Sequence, residues 1–89
     1  MEFTVIEESK DKLVFGLKGE SHTFCNALKK ELQSITGVEL ATYRIAHPLA
    51  GMPKFQIETK GVEPRATLKK ALANLKKKAE EFKTEVSKL

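Results

Sequence analysis

Residues 22–32 read HTFCNALKKEL, and they place the chain's single cysteine three residues after His22, one of its two histidines. The stretch allows three readings: a thiol–imidazole site, a pair of metal ligands, or one face of a helix. The spacing favours the helix. Phe24, Leu28, Leu32 and Ile35 follow at steps of four, four and three, which aligns them in one stripe with Asn26, Lys30 and Gln33 opposite. Thr23 is the expected N-cap, its hydroxyl accepting from the Asn26 amide, which has no other partner in a first turn. Thr36 and Gly37 are expected to stop the helix.

The chemical readings fall short on ligand and residue count. Cys25 near a helix start, with His22 and Lys29 close in sequence, is a setting that favours a thiolate. Catalysis also requires a group that orients the base and donors for an oxyanion, and neither stands in a recognisable order. No residue is assigned as catalytic, and Cys25 is expected to pack at the edge of the stripe. Structural zinc takes four ligands in paired spacings, a pattern that His22, Cys25 and His47 do not form. The five glycines stand singly at turns, without a phosphate-binding loop, so neither a metal nor a cofactor is expected.

Outward from the helix, the pattern changes to a period of two. Residues 2–8 (EFTVIEE) set Phe3 and Val5 against Thr4 and Ile6, which predicts a strand with one better-buried face. A polar turn at 9–11 leads into residues 12–17, where Leu13, Phe15 and Leu17 share one face and Val14 and Gly16 the other, completing a hairpin. After the helix, residues 38–46 (VELATYRIA) alternate with Val38 and Leu40 inward. They change phase at Ala41, so that Tyr43 and Ile45 become the apolar set. A bulge or a strand buried on both faces accounts for that shift. HPLAGMP is then a loop, and KFQIET a fourth strand with Phe55 and Ile57 on one face.

Pro64 suits a first helical position. From there to Leu89 the apolar residues Leu68, Leu72, Leu75, Ala79, Phe82, Val86 and Leu89 fall at alternating steps of four and three, a heptad seam. A rod of this length, roughly 37 Å at about 1.5 Å per residue, outruns four short strands. Its last turns are expected to seek another chain. The order strand, strand, helix, strand, strand, helix predicts an α+β fold, a four-stranded, mostly antiparallel sheet with both helices on one face. At 89 residues, a single domain spanning 1–89 is expected.

Charge follows the same division. The net charge is +4, but residues 65–89 carry eight Lys or Arg against three Glu, while residues 1–64 carry eight basic and nine acidic residues. The terminal helix could therefore lie along phosphates. One Tyr, no Trp and three interrupting glutamates leave few stacking platforms, so sequence-specific nucleic acid binding is not expected. No apolar run approaches the roughly 18 residues of a membrane span. The acidic, alternating N-terminus is unlike a signal peptide, and one cysteine fits a reducing compartment, so a cytoplasmic location is expected. A basic nucleic-acid-binding module and a self-dimerising module remain as alternatives.

ESHTFCNALKKEL and the later ATYRIAHPLAGMPKFQIET together resemble the small alpha-like assembly subunits of archaeal RNA polymerase, relatives of the bacterial alpha N-terminal domain, over nearly the whole chain. His22, Thr23 and Asn26 match the family's motif at fixed spacing, and His47-Pro48-Leu49 follows at the right distance. Cys25 takes a position where many relatives carry Gly, and the resemblance assigns it packing. What the family implies is a non-catalytic subunit of a nucleotidyltransferase complex. It heterodimerises with the larger alpha-like subunit, D, and forms a platform for the large catalytic subunits. On that footing the partner-binding residues are His22, Thr23, Phe24, Asn26, Leu28, Leu32, Leu68, Leu72, Leu75, Phe82 and Val86. Lys29 and Lys30 match a basic pair that faces the large subunits.

Overall fold

The structure, a computed structural model, describes residues 2–19, 21–45 and 52–89. His47-Pro48-Leu49 and most of the expected HPLAGMP loop lie outside the described residues. The elements run β1 (Glu2–Glu8), β2 (Lys12–Lys18), α1 (His22–Gln33), β3 (Val38–Arg44), β4 (Lys54–Thr59) and α2 (Pro64–Ser87). They form the expected α+β arrangement with a long C-terminal helix.

The sheet is antiparallel throughout and ordered β1-β2-β4-β3, so β4 inserts between the two strands that precede and follow α1. Leu13, Phe15 and Leu17 of β2 and Phe55 and Ile57 of β4 point to one face and meet Cys25, Leu28 and Leu32 of α1 and Leu68 and Ala71 of α2. Both helices therefore share that face. Its centre is a stack in which the Phe15 and Phe55 ring centroids lie 5.2 Å apart and Tyr43 adds a third ring 5.1 Å from Phe55. On the other face, Met52 lies against Gly16. A Cβ built there would come within 2.7 Å of the thioether sulfur, which explains glycine in a central strand.

Four local expectations are corrected. Ser21 caps α1, not Thr23: its backbone is extended and its hydroxyl accepts from the Phe24 amide at 3.2 Å. Helical bonding already starts at the Ser21 carbonyl, which accepts from the Cys25 amide, so Thr23 is inside the first turn. At the other end, the Ser34 hydroxyl donates to the Glu31 carbonyl at 2.7 Å, and the helix closes before Thr36 and Gly37. In β3 the register shift falls between Val38 and Leu40, so the bulge is present but Leu40 turns outward and Ala41 inward. Finally, β1 buries neither face. It is an edge strand to which α2 does not extend its cover, and Phe3, Val5 and Ile6 all remain exposed.

Candidate partner interface

α2 is one continuous helix with two different surroundings. Pro64 occupies its first turn, where a missing amide hydrogen leaves no bond unmade, and the helix then lays Thr67, Leu68 and Ala71 on the sheet. Leu72 and Leu75 are half-buried against the same core. Beyond Leu75 the seam continues with unchanged spacing into solvent, where Ala79, Phe82, Val86 and Leu89 are all exposed, Phe82 by 69%. Scattered surface apolar residues are ordinary, but a contiguous apolar stripe on a helix is a candidate interaction surface.

Beside the packed half of the helix runs an apolar groove of about 260 Å³. Leu13 and Phe15 floor it, Phe3 and Val5 form the β1 wall, Leu68 and Leu72 form the helix wall, and Arg65 and Lys69 complete the lining. Phe3 leans on the floor, its ring centroid 5.6 Å from that of Phe15. At the N-terminal root of α2, Arg65 donates from Nε and Nη2 to the two oxygens of Glu8, at 2.6 and 2.9 Å. That two-pronged contact holds the Glu8 carboxyl below its usual range and raises Arg65. Along β1, the Glu7 carboxylate accepts from Lys12 at 3.0 Å and raises it.

The residues singled out at α1 divide differently. His22 is exposed, and its Nδ1 shares a hydrogen bond with the Tyr43 hydroxyl at 3.2 Å, while Cys25 is fully buried in the core. The imidazole thus faces a phenol, and the thiol is shielded from solvent. Thr23 and Asn26 are exposed and Phe24 is half-buried. Leu28 and Leu32 are fully buried among the chain's own side chains, which leaves a second chain no surface of theirs to touch. Lys29 is half-buried, with its ammonium 5.7 Å from the centroid of the Tyr43 ring, whereas Lys30 is exposed. The structure therefore does not make them an equivalent pair. Among the described residues, no cluster of His, Cys, Asp and Glu could hold a metal ion, and no helix is long and apolar enough to cross a membrane.

Two features of this surface are not legible as site residues in the sequence. Phe3 and Val5 read as half of an ordinary strand, and only the edge position of β1 makes them a groove wall. Glu31 reads as a solvated charge, yet it is buried and accepts from Lys78 at 2.6 Å. Its step of three from Leu28 was the available signal, since it puts a carboxylate on the apolar side of α1.

Comparison with known proteins is consistent along the chain. Residues 12–85 match the family described as RNA polymerase Rpb3/Rpb11 dimerisation domain. The DNA-directed RNA polymerase subunit Rpo11 of Nanoarchaeum equitans is 41% identical over 83 residues, covering 92% of this chain and 86% of that protein. Its counterpart from Metallosphaera sedula is 37% identical over 87 residues, covering 97% of each chain. The crystal structure of DNA-directed RNA polymerase subunit L from Thermoplasma acidophilum superposes with a TM-score of 0.87 at 25% identity, over 98% of this chain and 86% of that one.

Proposed function

The chain belongs to the RNA polymerase Rpb3/Rpb11 dimerisation domain family, and from that premise we propose that it is a non-catalytic assembly subunit of a DNA-dependent RNA polymerase. In this reading the whole chain, 1–89, acts as one cytoplasmic dimerisation module. It pairs with the larger alpha-like subunit, D, and the pair is the platform on which the large catalytic subunits assemble.

The observation that carries the reading is the continuation of the core seam past the domain's edge, where Phe82 and Val86 stand exposed at the positions that Leu68, Leu72 and Leu75 occupy over the sheet. A convex helical stripe cannot enclose a small molecule, but it matches the apolar face of another helix or sheet. The groove between β1 and α2 is the complementary feature. The proposed contact set is therefore Leu72, Leu75, Phe82 and Val86 on α2 with Phe3 and Val5 on β1. His22, Thr23 and Asn26 at the exposed start of α1 form a polar margin.

The deciding experiment is the solution mass of this chain alone and after mixing with the larger alpha-like subunit from the same source. A one-to-one complex is expected, and a well-folded monomer indifferent to that subunit would overturn the proposal. Lys29 and Lys30 are proposed to contact an acidic patch of a large subunit. Reversing both charges should reduce incorporation of the large subunits while leaving the heterodimer intact, and unchanged incorporation would remove this assignment.

A further inference from the structure

Glu31 lies on the buried side of α1 between Leu28 and Leu32, and its side chain is only 10% exposed. A carboxylate in that position is costly unless something answers its charge. The answer comes from the other helix: Lys78 reaches down α2 and places its ammonium 2.6 Å from Glu31 Oε2, while its own side chain stays 65% exposed. Where this bond falls along α2 is what matters. Leu75 is the last residue of the helix packed on the core, Lys78 lies one turn further, and every residue from Ala79 to Leu89 is exposed. Among the described residues, the hydrogen bonds and ion pairs from α2 to the body of the domain are Arg65–Glu8 at its root and Lys78–Glu31 at the point of departure.

Past that point the helix is a lever. Val86 stands eight residues on, about 12 Å along the axis, so a small change of helix direction at Lys78 moves it sideways. We infer that the Glu31–Lys78 pair is an alignment tether: it sets the direction in which the exposed seam leaves the domain, and so acts as a positioning pair for partner binding. The inference rests on the reading of Phe82 and Val86 as partner contacts. A seam already aimed correctly binds without first paying for ordering, and a helix free to swing presents the competent geometry only part of the time.

The test compares Glu31→Gln, Lys78→Met and Lys78→Arg with the parent chain, using backbone amide relaxation and exchange in the free protein and affinity for the larger alpha-like subunit. Lys78→Met is included because it changes the exposed end of the pair and keeps the aliphatic stem, should Glu31→Gln fail to fold. The first two variants are expected to increase motion of amides 79–87 while core amides of β2 and β4 stay protected. They are also expected to weaken partner binding by about tenfold. Lys78→Arg, which retains the pair, is expected to match the parent. Unchanged motion at 79–87, or increased motion with unchanged affinity, would overturn the tether. If the parent chain itself fails to bind the larger subunit, the partner reading falls. Unchanged or increased motion of amides 79–87 then still decides whether the pair aligns the helix.

Discussion

Leu75 and Phe82 are seven residues apart on one helix, at the same position of the heptad, yet one is half-buried against the core and the other is 69% exposed. Nothing in their local sequence distinguishes them. A heptad seam records that a face is to be buried, because apolar surface in water is unfavourable wherever it lies. It does not record which chain supplies the cover. Over the packed half of α2, α1 supplies it from within together with β2 and β4. Past Leu75 no described residue covers it, and the groove beside β1 repeats the situation from the other side, an apolar surface whose own helix stops short of it.

The comparison is broken most forcibly from the packed side. Phe55→Ala empties the middle of the Phe15–Phe55–Tyr43 stack, and the expected loss is about 3–5 kcal/mol in urea unfolding of the free chain. A loss below about 1 kcal/mol would mean that this stack is not the core's centre.

The contrast between the two halves of α2 is sharper with one substitution made twice. Leu75→Asp should both lower the melting point of the free chain and abolish co-purification with the larger alpha-like subunit. Phe82→Asp should leave the melting point nearly unchanged and still disrupt the complex, by several kcal/mol at order of magnitude, since it puts an unpaired carboxylate into a desolvated contact. Retained co-purification of Phe82→Asp would count against the outer seam as an interface.

Acid supplies the smallest effect. Arg65 depresses the Glu8 pKa below its ordinary 4.5 in the folded chain. The contact therefore stabilises the fold above that value and is lost as pH falls through the lower, folded value. The first turn of α2 should accordingly loosen against β1 only below about pH 4.5, visible as a change in Arg65 side-chain resonances, and Glu8→Gln should remove this transition. A transition that persists in Glu8→Gln would assign it to another carboxylate.

Much of the fold is legible in the sequence. Period-two alternation located all four strands and the three- and four-residue steps located both helices, while the phase change in β3 pointed to a bulge or a doubly buried strand at Ala41 and the register shifts earlier, between Val38 and Leu40. The errors cluster where two local solutions compete. Ser21 and Thr23 each offer a hydroxyl to an amide three residues on, and the choice depends on where helical bonding begins. The candidate interface was legible in part. The outer seam is visible in spacing alone, whereas Leu28 and Leu32 carry the same pattern and turn out to be core, since the buried side of α1 is packed against β3 and α2 along its length.

The type and order of the six elements, and an apolar seam longer than the domain, follow from the local pattern of residues, because periodicity is a property of adjacent residues and of helix and strand geometry. It takes the packed chain to place β4 between β2 and β3, to leave β1 at an edge with its apolar side chains exposed, and to turn Lys78, alone of its basic run, in to meet Glu31. Each of these depends on which distant segment comes to lie alongside. That is settled by the summed burial of the whole chain and leaves no trace in the spacing of neighbours.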